Sequence, residues 1–187
     1  MESFEELGVT PELADALVAE GIETPTDFQA SAIPVLLRGN SLLAQAGPGA
    51  GTLLAYGIPL LQRVDPEALL PQALILTPSA EAASRLAASL SRLTQITGHK
   101  VGALGSTWAL PEIASILFAT PEESLRAVRA SKLSLEGIQS VAVDGFSGLE
   151  PQGLEALETL FESIPKDGQR VLLGQPLSKE AEAFGKA

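Results

Sequence analysis

Ser41-Leu42-Leu43-Ala44-Gln45-Ala46-Gly47-Pro48-Gly49-Ala50-Gly51-Thr52 (residues 41–52) passes from a short apolar run into alternating glycines, and then into an amphipathic stretch that ends near Arg63. The apolar run reads as a strand near Ser41–Gln45, and Thr52 to Arg63 as a helix. Glycines joining a strand to a helix let the backbone approach a ligand closely and aim its N–H groups at an anion. Strand, glycine-rich turn and helix in that order form the context of a phosphate-binding loop. A glycine-rich turn that binds nothing satisfies the same pattern, and the residues alone leave both readings open.

The pattern repeats outward from this segment. Runs near Ala73–Thr77, Lys100–Ala103, Ser115–Ala119, Gln139–Asp144 and Arg170–Gly174 are continuously apolar, as strands covered on both faces are. Between them the spacing predicts helices over Ala80 to Gln95, Glu122 to Ala130 and Gly153 to Ser163. Before the first strand, Thr10-Pro11 starts a helix that runs to Ala19 and stops at Gly21, and Thr26 starts one that ends near Arg38-Gly39. The alternation predicts an α/β fold with three αβα layers and a mostly parallel central sheet. Ligands of such sheets bind beyond the carboxyl ends of the strands, so the segments after Gln45, Thr77, Ala119 and Asp144 are where function is expected.

Composition narrows the chemistry. The chain has 187 residues, 45% of them hydrophobic and 4% aromatic, which is globular and fits one domain. It has no cysteine and a single histidine, His99, which excludes disulfides, thiolate metal sites, cysteine nucleophiles and histidine-rich metal sites. No run is long and apolar enough to span a membrane and Met1-Glu2-Ser3-Phe4-Glu5-Glu6 is acidic, so the expected setting is cytoplasmic with no membrane partner. With 12 Lys and Arg against 23 Asp and Glu, the net charge is −11. Phosphate backbones are held by cations that displace counterions, so this balance favours a protein partner or a salt-rich cytoplasm over a strong grip on RNA.

Residue by residue, the chain resembles the first RecA-like domain of the DEAD-box RNA helicases, a P-loop NTPase fold. The family's loop has the form Ala-x-Thr-Gly-Ser-Gly-Lys-Thr, which Ala44, Gln45, Gly47 and Gly49 match. In that register Ala50 stands at the lysine that neutralises the β- and γ-phosphates, and Gly51 at the hydroxyl that holds Mg²⁺. Sliding the loop by one residue restores a hydroxyl through Thr52 but no lysine, and Pro48 withholds one N–H from the cradle. Upstream, Gly21 to Gln29 resembles the adenine-reading Q motif, with Phe4 as the stacking ring and the Gln29 amide as the pairing group. Thr26-x-x-Gln29 is equally a capping box, a role that outlasts any loss of adenine.

Ser140 to Asp144 followed by Gly145-Phe146-Ser147 resembles the Asp-Glu-Ala-Asp box. Asp144 matches its first aspartate, Gly145 replaces the water-orienting glutamate, and Ser147 replaces the last aspartate. A capping or turn aspartate at a strand end is the other reading of Asp144. Gly174-Gln175-Pro176 stands where the family has Ser-Ala-Thr, without its hydroxyls.

The family's RNA-facing motifs are kept in part. Thr77-Pro78-Ser79-Ala80-Glu81-Ala82-Ala83 resembles Pro-Thr-Arg-Glu-Leu-Ala, with Pro78 and Glu81 kept and Ala80 at the arginine. Gly105 keeps one glycine of a pair. Thr120 and Pro121 open a segment like Ala-Thr-Pro-Gly-Arg in which the arginine has become an acid, and the two also serve as an ordinary N-cap and first helical residue. Trp108 is a candidate base stacker, or simply a core or surface residue.

The resemblance implies one RecA-like domain over residues 1–187, with a Q-motif region at 1–38, a core at 39–187 and no second RecA-like domain. It implies vestigial nucleotide contacts at Phe4, Gln29, Gly47, Gly49, Gly51, Thr52 and Asp144, so that ATP or ADP with Mg²⁺ binds weakly. Weak RNA contacts are implied at Thr77, Pro78, Glu81, Gly105, Thr120 and Pro121. No catalytic or metal-binding residue follows. The expected function is a non-hydrolysing interaction module, with an ATP-dependent RNA helicase domain completed by a separate second domain as the alternative.

Overall fold

Strand-forming apolar runs and amphipathic helices alternate along the chain, and a computed structural model of the protein shows how they pack. It describes residues 3–47, 49–105, 114–175, 179, 182 and 183. Pro48, Trp108 and Pro176, to which the sequence assigned a missing N–H, a stacking ring and part of a lost motif, lie outside the described residues, as does Ser106, which follows Gly105 where the family's second glycine would stand.

In chain order the elements are α1 (Pro11–Ala19), α2 (Asp27–Leu37), β1 (Leu42–Gln45), α3 (Thr52–Arg63), β2 (Ala73–Leu76), α4 (Ala80–Thr97), β3 (Val101–Ala103), β4 (Ile116–Ala119), α5 (Pro121–Arg129), β5 (Ser140–Asp144), α6 (Pro151–Ser163) and β6 (Gln169–Gly174). The elements read from periodicity are these, within a residue or two at their ends. The sequence reading did not include two short 3-10 turns, Glu5–Leu7 and Phe146–Gly148.

The described strands form one six-stranded sheet in the order β1-β6-β5-β2-β4-β3, and every neighbouring pair is parallel. Successive residues of a strand point to opposite faces. Ala73 and Ile75 of β2 therefore enter one core with Leu13 and Leu17 of α1, Ile33 and Leu36 of α2, Ile58 and Leu61 of α3 and Leu90 of α4. Leu74 and Leu76 enter a second core with Leu157, Leu160 and Phe161 of α6, against which Leu125 and Val128 of α5 also pack. Each of these fully buried leucines or isoleucines stabilises the fold by about 1.5–3 kcal/mol relative to exposure.

One strand departs from the expectation of burial on both faces. β1 alternates half-buried and exposed, with Leu43 37% exposed. It lies at an edge of the sheet, paired among the described strands with β6 alone. Among the described residues no helix is long and apolar enough to cross a membrane.

Candidate functional site

Because β1, β6, β5 and β2 lie side by side and run parallel, their carboxyl ends meet on one edge of the sheet. The segments leaving them enclose a cavity of about 650 Å³, within the range of small-molecule sites. Ala46, Gly47, Gly49 and Gly51 come from the turn after β1, and Gln175 from beyond β6. Asp144, Gly145 and Ser147 come from the end of β5, and Pro78 and Ser79 from beyond β2. Thr52 and Leu53 of α3, with Ala82, Arg85 and Leu86 of α4, complete the wall. The glycine turn thus borders open space instead of folding in on itself.

The structure corrects the register of this loop. In the phosphate-loop pattern the last glycine ends the turn and the lysine opens the helix. Here Gly51 occupies the N-cap of α3 in the left-handed region, with φ of 73°, and Thr52 is the first helical residue. Thr52 and Leu53, not Ala50 and Gly51, therefore hold the places of the lysine and the hydroxyl. Glycine spacing alone could not separate the registers, because Gly47, Gly49 and Gly51 repeat every second residue. Gly51 is also required for space, since a Cβ there would meet the Gln29 side chain, and one on Gly47 would meet Gln175.

Asp144 is neither a helix cap nor a turn residue. Its carboxylate accepts a hydrogen bond from the Tyr56 hydroxyl at 2.8 Å, and from the Thr52 hydroxyl at 3.2 Å to Oδ2 and 3.4 Å to Oδ1. Burial pushes its pKa above the ordinary carboxylate value, while the Tyr56 and Thr52 hydroxyls and the Arg85 charge pull it back. Burial, reinforced by the neighbouring Asp144, holds Tyr56 well above the ordinary tyrosine range, so its hydroxyl stays protonated and donates. The sequence reading missed Tyr56. Its signal was present: Thr52 and Tyr56 are four residues apart on the helix that opens at the loop, and so share one face.

Both halves of the capping box at α2 are formed. Gln29 N–H donates to Thr26 Oγ1 at 3.1 Å and Thr26 N–H to Gln29 Oε1 at 2.9 Å. The same side chains hold the loop, Thr26 Oγ1 donating to the Ala50 carbonyl at 2.7 Å and Gln29 Nε2 to the Gly51 carbonyl at 3.0 Å. Gln29 is 3% exposed, with its amide engaged at both ends. Phe4, expected to stack on a base, is also 3% exposed and packs in the first core, away from the cavity wall.

The residues expected to face RNA take local structural roles. Thr77 is fully buried and donates to the Ser79 carbonyl at 2.8 Å. Pro78 forms part of the cavity wall and Glu81 is exposed in the first turn of α4. Thr120 caps α5 by accepting from Glu123 N–H at 3.1 Å, and Pro121 is the buried first residue of that helix. Gly105 is exposed, with φ of 83° and the Glu123 carboxylate beside it.

No group of three or more His, Cys, Asp or Glu able to hold a metal ion occurs among the described residues. A magnesium site of the P-loop kind also needs the loop hydroxyl, whose place Leu53 fills, and a carboxylate free to face the ion. Asp144 keeps acceptor capacity beside its two hydroxyl partners, so of these two groups only the carboxylate is present. The glycine turn and the Arg85 guanidinium do suit an anion.

Comparison with known proteins gives a consistent picture. A family model described as DEAD/DEAH box helicase matches residues 26–182. The ATP-dependent RNA helicase DeaD of Escherichia coli is 32% identical over 91% of this chain and 28% of its own length. The ATP-dependent RNA helicase dbp9 of Emericella nidulans is 30% identical over 98% of this chain and 33% of its own. This chain thus spans about a third of the length of such relatives. Among solved structures, a DEAD box protein from Methanococcus jannaschii superposes with a TM-score of 0.91 at 26% identity, covering 98% of this chain and 53% of that one. Saccharomyces cerevisiae Dbp5 bound to RNA and ADP BeF3 gives 0.89 at 25% identity, covering 100% and 49%.

Proposed function

The chain belongs to the DEAD/DEAH box helicase family, and from that premise we propose that it is a helicase-type domain that binds without hydrolysing, an interaction module with residual affinity for nucleotide and RNA. One observation carries this reading: the side chain that opens α3 against Asp144 is a threonine where phosphoryl transfer needs a lysine. A neutral hydroxyl cannot balance charge developing on a transferring phosphate. Three further features support the reading. Leu53 offers no oxygen to a metal, Gly145 no carboxylate to orient water, and the Asp144 oxygens are engaged by Thr52 and Tyr56.

Phosphate release from ATP, followed by malachite green with and without single-stranded RNA, is the test. We expect no release above the level of an Asp144→Ala control. RNA-stimulated release that the control abolishes overturns the reading. It would favour instead an ATP-dependent helicase domain working with a second RecA-like domain. One observation supports that alternative: the chain spans about half of the Dbp5 chain that is bound to RNA and ADP BeF3.

For RNA, the motif arginines are absent, Glu123 sits against Gly105 and the net charge is −11. Each lost phosphate contact weakens binding and flattens its salt dependence, so RNA is a weak ligand in this reading. A protein partner suits an acidic surface better. Another solved form of Dbp5 is bound to Gle1 and IP6, which supports a partner-binding role for such a domain.

A further inference from the structure

The cavity has lost its loop lysine, yet it is not without positive charge. Arg85 reaches its wall from α4. Ser79 caps that helix by accepting from Ala82 N–H at 3.1 Å, while Ala83, Ala87 and Leu90 are buried beneath it. This seating turns Ser79, Ala82, Arg85 and Leu86, which recur at helical spacing, toward the glycine turn. Arg85 itself is exposed, and among the described residues no hydrogen bond or ion pair engages its guanidinium. The other charged group of the wall, Asp144, already accepts from Thr52 and Tyr56. The Arg85 charge acts on Asp144 across the wall, but with no hydrogen bond or ion pair among the described residues the guanidinium has donors to spare for a ligand. Opposite it stands the amino end of α3, behind Gly51, with the partial positive charge of its free N–H groups.

We propose that Arg85 is the anion-binding cation of this cavity, supplying from α4 the charge that the loop does not carry, and that the group it holds is the phosphoryl end of a nucleotide. A guanidinium offers paired donors that match two oxygens of one phosphate. This inference rests on the reading of the cavity as a retained nucleotide site, and deepens it by naming the residue and the part of the ligand that dominate binding. A charge delivered from α4 holds the phosphates in place of the lysine but does not restore the metal or the water, so binding without turnover follows.

The test compares the wild-type chain with Arg85→Gln and Arg85→Lys, titrated at low ionic strength with a fluorescent mant-ADP, with inorganic pyrophosphate and with adenosine. Position 85 is exposed, and circular dichroism melts establish that the variants are folded. The wild-type chain is expected to bind mant-ADP and pyrophosphate, Arg85→Gln to lose about tenfold for both with adenosine unchanged, and Arg85→Lys to fall between. If Arg85→Gln binds mant-ADP as the wild type does, the assignment of Arg85 is overturned while the nucleotide reading stands. Arg85-dependent binding of pyrophosphate, with mant-ADP no tighter than pyrophosphate, overturns the nucleotide reading and leaves the anion site. Binding of neither ligand by the wild type overturns both.

Discussion

At the scale of single residues, Asp144 connects the chemistry of the cavity to the stability of the chain. Its oxygens tie β5 to α3 through Thr52 and Tyr56, but burial makes the ionised form costly. An acid whose folded pKa is raised binds protons more readily folded than unfolded. Stability is therefore lost as pH rises from the unfolded value of about 3.9 through the raised folded value, and stays low above it. Asp144→Asn keeps an acceptor for both hydroxyls and removes the charge. Calorimetry should find it more stable than the wild type at neutral pH, with the gain shrinking at acidic pH. Asp144→Ala leaves the buried Tyr56 hydroxyl without its acceptor and should lower stability by about 1–3 kcal/mol. If the two variants shift Tm in the same direction, burial of the charge is not the controlling cost.

At the scale of elements, α2 and the glycine turn act as one unit. Two helix caps separate the effects: among the described residues the Ser79 side chain caps α4 without a hydrogen bond to the turn 46–51, whereas Thr26 caps α2 and also donates to the Ala50 carbonyl. Urea denaturation should show Ser79→Ala and Thr26→Ala each costing about 1 kcal/mol. Hydrogen exchange should set them apart, since only Thr26→Ala is expected to speed exchange in the turn 46–51. Equal exchange there in both variants would mean that the tether does not hold the turn. The capping box was legible in Thr26-x-x-Gln29. The contact from its side chains to the turn was not, because Gln29 and Gly51 lie 22 residues apart and meet only once α2 and α3 pack.

At the scale of the whole molecule, a net charge of −11 acts on every ligand and on the fold itself. Self-repulsion opposes compaction and weakens as the screening length drops to about 3 Å at 1 M salt. Thermal melts in NaCl rising to about 1 M should therefore show Tm climbing by roughly 2–4 °C, equivalent to about 1 kcal/mol. A Tm that is flat or falls with salt would show that local ion pairs outweigh the net charge. The same field repels RNA, so any fluorescence anisotropy signal with single-stranded RNA should be confined to low salt.

The sequence by itself determined the elements, the parallel sheet and the edge at which the cavity opens, because apolar periodicity and glycine placement are local and bear directly on backbone geometry. It also showed that no lysine or arginine lies between Arg38 and Arg63, whichever register the loop takes. Tertiary structure alone decided the loop register, which turns on where α3 gains its first hydrogen bonds and not on the glycine count. It placed Phe4 in the core, joined Tyr56 to Asp144 across 88 residues and brought Arg85 to the cavity from a separate helix. Those outcomes depend on which faces of distant elements pack together; spacing along the chain shows which residues share a face, as Thr52 and Tyr56 do, but not what that face meets.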